Sequence, residues 1–438
     1  MTDGEVDDRC SMVHFLLCAS DFDVAAIIES NSCFQKHGWS SIHWLGDEID
    51  SYEKVYPNLK VHDPNYPTPD YLRSVCFVGD EDESHLEGIP SAAFIMPGDS
   101  CMIDPALWPD TPGSDKIVEV LLEDDPRTVF IQAWGGSDTA AKAFQKLKDE
   151  YPDDYDRAIS KVVMYNIWYQ DGGGSYIETH HPKVTMLLSY FFSGTWDYGS
   201  QRYTKDFVDE FLHNGHGPLG PHYVQDYISE GDSPSFFHFI ANGLRSYESP
   251  SWGGWGGAFY KTDLAPNTYV DAQKGDYTRW TEYVNRDFQA RLTWCVTPTY
   301  EGANHRPVVN ILEGDEITVH SGETVTLNAE VSDKDPVDLE SLWDSRKELF
   351  EGMGMTKETF MENSAGSRRF SPGKTWWVMK DASTYKGTIF IKHMQAGSIS
   401  FVAPKVKNKE TVHIICESTD MHTPPLTGFD RVVVNILP

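Results

Sequence analysis

Between residues 128 and 150 the chain passes from strand to helix through a turn of glycines. Thr128-Val129-Phe130-Ile131-Gln132-Ala133-Trp134 is an apolar and β-branched run that reads as a strand. Gly135-Gly136-Ser137-Asp138 follows. Thr139 to Glu150 then predicts an amphipathic helix with Ala140, Ala143, Phe144 and Leu147 on one face. Val162-Val163-Met164-Tyr165-Asn166-Ile167-Trp168 predicts the next strand. Alternating strands and helices imply a mainly parallel sheet with helices on both faces, so the first 300 residues read as α/β. Ligands of such sheets sit at the carboxyl ends of the strands, which makes Trp134 and Asn166 candidate substrate contacts.

The rest of this region is less regular. Met12, Val13, Phe15, Leu16 and Leu17 recur at helical spacing, Val24-Ala25-Ala26-Ile27-Ile28 reads as a short buried strand, and Ser114 to Leu122 looks helical. The stretch from about 31 to 112 is rich in Pro, Gly, Asp and aromatics and reads as a long irregular excursion. Near Gly302 the texture changes. Short runs at 308–311, 324–329, 388–391, 398–402, 411–415 and 431–434, spaced by turn residues, predict a small antiparallel β-sandwich. The expected domains are 1–303 and 304–438, with a charged, Met-rich, weakly helical insertion at about 342–373.

Charge and composition narrow the partners. Lys and Arg total 36 against 67 Asp and Glu, a formal net charge of −31. Nucleic-acid backbones and anionic membranes demand clustered Lys and Arg, so neither is an expected partner. Neutral or cationic ligands, or a divalent metal, fit better. No apolar run approaches the roughly 20 residues that span a bilayer. Met1-Thr2-Asp3-Gly4-Glu5 has neither the basic nor the apolar region of a signal peptide. The seven cysteines include no CxxC pair, so a structural zinc site is not expected and the thiols read as mostly free and buried. GxSxG, Walker and GxGxxG motifs are also missing, which leaves serine-hydrolase, P-loop and Rossmann readings without support.

Four segments carry candidate chemistry. Thr2-Asp3-Gly4-Glu5-Val6-Asp7-Asp8 places four acids in six residues before a helix. Adjacent carboxylates raise one another's pKa unless a helix terminus or a hard cation compensates. Ser229-Glu230-Gly231-Asp232-Ser233-Pro234-Ser235 is a second acidic point before an apolar helix, and alone it reads as a cap. Glu248-Ser249-Pro250-Ser251-Trp252-Gly253-Gly254-Trp255-Gly256-Gly257 combines glycines, which permit close backbone approach, with Trp faces that suit sugar rings. It reads equally as a turn pinned by two core tryptophans. Asn214-Gly215-His216-Gly217-Pro218-Leu219 holds a titratable side chain in a glycine-flanked loop.

Taken together, Thr2–Met12, Gln132-Ala133-Trp134-Gly135-Gly136, Gly215–Leu219, Glu230–Pro234 and Glu248–Gly257 resemble the cellulose-binding proteins of marine polysaccharide-degrading bacteria, which carry a nucleoside-hydrolase-like domain. The resemblance covers nearly the whole chain. It implies a nucleoside-hydrolase-like sheet, a terminal Ig/cadherin-like sandwich and a calcium ion that binds sugar hydroxyls and the attacking water. By motif, Asp3 is then general base and metal ligand, Asp8 and Asp232 are metal ligands, and Asp7 is a sugar-hydroxyl partner. The loop after Trp134 adds a backbone carbonyl, from Ser137. Hydrolysis at an N-glycosyl or related bond through an oxocarbenium-like sugar is the implied reaction. The substrate is a small sugar or nucleoside, or a polysaccharide, with Trp252 and Trp255 as sugar contacts.

Three departures from the family pattern bear on activity. Purine-releasing relatives place a His before the distant Asp as leaving-group acid. Here that position is Gly231, so His216 becomes the candidate acid. A strand normally runs into the Asp loop, but here the loop starts at Asp3. An incomplete chain with Asp3 on a frayed terminus is therefore expected. Any signal peptide would have been lost with it, and the full-length form is expected outside the cell. The sandwich of relatives is expected to lack the 342–373 stretch. Besides the hydrolase, two readings stand: a non-catalytic carbohydrate-binding protein on the same scaffold, and an adhesion module. The last rests on Asp333-Lys334-Asp335-Pro336 and Thr419-Asp420 in the sandwich, which also read as plain turns.

Overall fold

A computed structural model describes residues 1–100, 102–196, 205–335, 339–364 and 373–438. The chain divides into two compact units. One comprises Met1–Ile240, Ser246–Thr281 and Arg291–Val296; the other comprises Ala241–Arg245, Glu282–Ala290 and Thr297–Pro438.

The first unit is α/β, as its strand–turn–helix pattern requires. Strands β1 (Ile27–Glu29) and β2 (Cys76–Val78) pair in parallel. Strands β3 (Val129–Ala133), β4 (Val162–Ile167), β5 (Thr185–Ser189), β6 (Phe259–Lys261) and β7 (Thr268–Asp271) form a sheet in the order β3-β4-β5-β7-β6, with β6 alone antiparallel. The helix Asp138–Glu150 follows the glycine turn. Its Ala140, Ala143, Phe144 and Leu147 are buried in the core with Ile131, Met164 and Met186 from the sheet. Burying side chains the size of Phe144 or Leu147 contributes roughly 1.5–3 kcal/mol each.

The helix Val6–Cys18 is buried from Cys10 to Cys18, so it is an internal helix rather than a surface one. The 31–112 excursion is more ordered than its composition suggests. It contains the 19-residue helix Trp44–His62, whose Leu45, Glu48, Ile49, Tyr52, Val55 and Leu59 are buried. Pro57 and Gly46 interrupt the pattern, and a buried Glu48 sits on the apolar face, so periodicity alone misses it. Six described cysteines are free, four of them buried; Cys101 lies outside the described residues.

The second unit carries the strand-rich region. Strands β8 (Val308–Ile311), β9 (Glu316–His320), β10 (Thr324–Leu327), β11 (Ala329–Ser332), β12 (Thr375–Val378), β13 (Lys392–His393), β14 (Ile399–Val402), β15 (Glu410–Thr419) and β16 (Thr427–Leu437) form three sheets. The largest runs β12-β15-β16-β9, and its β9–β16 pair is parallel rather than antiparallel. Residues 388–391, expected as a strand, are not one; pairing with β14 begins at Lys392. The insertion lies between β11 and β12. It forms the helices Leu339–Ser345, Lys347–Gly352 and Lys357–Ser364 around a small core of Leu342, Trp343 and Phe360. Its residues 365–372 lie outside the described residues.

One buried imidazole in the first unit sets a pH dependence. His238 lies among the rings of Tyr165, Phe239 and Phe259, and burial pushes its pKa down to about 3. In the unfolded chain the same group takes a proton near pH 6.5. The unfolded state therefore protonates first, and His238 withdraws stability as pH falls below that value. Between pH 7 and pH 5 the loss is about 2 kcal/mol. A His238→Gln variant should show a shallower fall in urea-unfolding free energy over that range by this amount. Identical slopes for both proteins would refute the neutral buried state.

Candidate active site

Residues Met1 and Thr2 lie between β1 and β3. Thr2 N donates to Ile28 O (2.9 Å), Ser30 N donates to Thr2 O (2.8 Å), and Trp134 N donates to Met1 O (2.9 Å). Thr2 forms a parallel bridge with Glu29. Asp3 is thereby delivered to the carboxyl ends of the parallel strands and is only 2% exposed. The expected frayed terminus is not what these bonds describe: the backbone of Met1 and Thr2 is paired on both sides. Gly4, at φ 77°, then turns the chain into the helix Val6–Cys18, whose first turn carries Asp7 and Asp8. A Cβ on Gly4 would stand 2.7 Å from Trp44 Nε1.

Four acids from two loops meet here. Asp8 Oδ1 accepts from Thr2 Oγ1 and from Asp3 N (3.1 Å), and Asp3 Oδ1 accepts from Glu5 N (3.2 Å). Asp7, Asp8 and Asp232 each bring one carboxylate oxygen into a group lying within 4.8 Å. Among the described residues, the buried Asp3 Oδ2 and Asp232 Oδ2 have no hydrogen-bond partner. Burial, and then the neighbouring like charges, push Asp8 and Asp232 well above the usual carboxylate range; burial also raises Asp3. Orphaned carboxylate oxygens in a buried cluster are costly unless something positive joins them. The donors are all hard oxygens, so the set fits a hard divalent cation such as calcium.

Asp232 is fixed from behind. It precedes the helix Ser233–Phe237, where Ser235 Oγ donates to the Asp232 carbonyl (2.6 Å). Glu230 is fully buried and accepts from His14 Nδ1 (2.8 Å), Ser233 Oγ (2.9 Å) and Tyr223 Oη (3.3 Å). Gly256 packs against the same helix: a Cβ there would lie 2.2 Å from Pro234 O and 2.4 Å from His238 N. Position 231 faces a side chain rather than backbone. A Cβ on Gly231 would lie 2.5 Å from Asp7 Oδ2, so the Asp7 carboxylate occupies the space a side chain there would need.

The other sequence candidates are placed differently. Trp134 is buried, with its indole N–H on Ser235 Oγ (2.7 Å). Asn166 is buried; its Oδ1 accepts from Ser137 Oγ (3.1 Å) and its Nδ2 donates to Leu187 O (3.2 Å). The Ser137 carbonyl accepts from Ala141 N (3.0 Å) as the first bond of its helix. His216 lies in a separate loop, its ring stacked on Phe211 at 5.0 Å. Trp252 is half-buried, but Trp255 is 1% exposed and belongs to the core, so its faces are not offered to a ligand.

Sequence reasoning missed two features. Asp171 organises the glycine turn after β3: its Oδ2 accepts from Ser137 N (2.5 Å) and Asp138 N (2.8 Å), and its Oδ1 accepts from Gly173 N (2.9 Å). Its only signal was its place five residues after Asn166. Trp168, read as the end of a strand, adopts φ 58° immediately after β4. A bulky residue held there costs about 1–3 kcal/mol and marks functional loops.

A parallel-rich sheet with this acid cluster at its carboxyl edge defines a nucleoside-hydrolase-like α/β domain. The family described as cellulose-binding Sde182, nucleoside hydrolase-like domain, matches residues 1–259, and the C-terminal domain of cellulose-binding protein Sde0182 matches residues 373–436. The chain belongs to this family, as its resemblance implied. A nucleoside hydrolase-related hypothetical protein from Saccharophagus degradans, associated with carbohydrate metabolism, has a similar solved structure. The two are 25% identical, with a TM-score of 0.79 over 99% of this chain and 98% of that one. No curated protein matches.

Proposed function

We propose that the first unit is a calcium-dependent hydrolase of the nucleoside-hydrolase type, acting on an N-glycosyl or related glycosyl bond in a carbohydrate-directed protein that works outside the cell. The convergence of Asp7, Asp8 and Asp232 oxygens, beside the orphaned Asp3 Oδ2, carries this reading. Asp3, Asp8 and Asp232 would hold the ion, and Asp7 would accept from a sugar hydroxyl. Bound there, calcium would lower the pKa of its water and bind the sugar hydroxyls. Asp3 Oδ2 is the free acceptor that takes a proton from the attacking water. The water oxygen joins the anomeric carbon while the glycosyl bond breaks and its electron pair leaves with the departing atom. Gly231 offers that atom no proton, and His216 is the candidate donor.

Binding without turnover is the second reading. The absence of a titratable side chain at Gly231 favours it, as does the cellulose-binding description of the family. Calcium titration by calorimetry on the wild type, Asp8→Ala and Asp232→Ala tests the metal site. Saturable binding that weakens about 100-fold or is lost in both variants is expected, because each removes one of few charged ligands. Unchanged binding would remove the hydrolase reading. Turnover in a nucleoside and glycoside screen, lost in Asp3→Ala, separates hydrolysis from binding alone.

A further inference from the structure

Three aromatic side chains border the acid cluster, each on a loop that follows a different parallel strand. Phe34 follows β1, Trp168 follows β4 and Phe192 follows β5. The Phe34 and Trp168 ring centroids are 6.2 Å apart, and those of Trp168 and Phe192 are 5.2 Å apart. The row reaches the carboxylates at its Phe192 end. A Cβ built on Gly231 would lie 3.4 Å from Phe192 Cε2 and 2.5 Å from Asp7 Oδ2. It is tied to them at its Phe34 end as well. On the loop leading to Phe34, Ser30 N donates to Thr2 O (2.8 Å), one residue before Asp3, Ser32 Oγ accepts from Phe34 N (3.0 Å), and Cys33 N donates to Gln170 O (2.8 Å).

Phe192 is buried, at 3% exposed, but unlike Trp134 and Trp255 the other two rings of the row are not sealed in the core. Phe34 is 45% exposed and Trp168 is half-buried. The fold holds Trp168 in the left-handed region at φ 58°, with its N–H on Ser189 O (3.2 Å). Packing alone does not call for a large ring in that backbone conformation beside solvent.

We propose that Trp168, flanked by Phe34, is the stacking platform for a neutral sugar ring whose hydroxyls are accepted by the neighbouring carboxylates. This assignment rests on the reading of the acid cluster as a sugar-directed site. A sugar ring pairs an apolar C–H face with an edge of hydroxyl donors, and the border of aromatic rings and carboxylates matches both. A nucleobase also has a flat face, but its edge needs donors as well as acceptors, and carboxylates supply acceptors only. The chain's net charge of −31 disfavours an anionic sugar.

The test is calorimetric titration of the calcium-equilibrated full chain with cellotetraose and, separately, with inosine, for the wild type, Trp168→Ala and Trp168→Phe. Cellotetraose affinity is expected to fall about tenfold or more in Trp168→Ala and to be largely retained in Trp168→Phe, which keeps an aromatic face. Calcium affinity is expected to be the same in all three proteins. Equal cellotetraose affinity in Trp168→Ala would overturn the proposal, as would no wild-type binding at millimolar sugar. So would a selective loss of inosine binding, or a loss of calcium affinity in step with sugar affinity. If instead Asp8→Ala and Asp232→Ala leave calcium unaffected while Trp168→Ala loses sugar, the metal reading fails and the platform stands.

Discussion

Gly256→Ala should destabilise the first unit by about 3 kcal/mol and weaken its divalent-cation binding, because overpacking against backbone cannot be relieved by a rotamer change. The new Cβ would meet Pro234 O at 2.2 Å, His238 N at 2.4 Å and His238 Cα at 2.7 Å. All three are main-chain atoms in or just after the helix that begins beyond Asp232. The same residue's carbonyl accepts from the buried Tyr165 Oη (3.0 Å), which resists retreat on the other side. Thermal unfolding and calcium calorimetry read the two effects. Gly275→Ala is the control, since a Cβ there meets nothing within 4 Å. Equal melting temperatures for the two variants would mean that the tryptophan–glycine segment does not brace the Asp232 turn.

Glu230→Ala should cost more, on the order of 3–5 kcal/mol, the range seen when one partner of a buried polar pair is removed. Glu230 is fully buried and receives hydrogen bonds from His14, Ser233 and Tyr223, on the first helix, the Asp232 helix and an intervening loop. Its loss takes a shared acceptor from three buried donors at once. It sits two residues before Asp232, so calcium affinity should fall with stability. Glu230→Gln keeps one acceptor oxygen and should recover part of both. Urea unfolding checks the first effect and calorimetry the second; a stable Glu230→Ala protein with wild-type calcium affinity would show that the turn holds without this hub.

Both variants act behind the site, and that reassigns the Glu248–Gly257 segment. Its glycines allow close approach, as the sequence suggested, but the object approached is the protein's own interior. Gly256 meets the Asp232 helix, and a Cβ on Gly257 would stand 2.6 Å from the Tyr277 ring. Trp255 is buried with them, so the Trp255–Gly257 end of the segment supports the site, while Trp252 is half-buried. Phe34 and Trp168, which no motif in the sequence marked, are open aromatic side chains beside the carboxylates.

What the sequence determined by itself follows from local periodicity and from residue chemistry. Alternation of apolar strands with the Thr139–Glu150 amphipathic pattern required a parallel sheet, because only a crossover returns such a chain to the same edge. The acids at 3, 7 and 8 raised oxygen-ligand chemistry as an expectation, because so dense a set of carboxylates needs a compensating charge, whereas Asp232 joined them only through the family resemblance. What only the tertiary structure decided depends on contacts between distant residues. Interrupted by Pro57 and Gly46, the Trp44–His62 helix is stable because its buried face has a partner. Residues 388–391 lack the partner strand that their β-propensity presupposes. Which tryptophans are sealed and which stay open, and that Asp7 fills the space beside Gly231, are outcomes of packing among segments some 200 residues apart. No local pattern encodes that, because burial belongs to the assembled core and not to the residue.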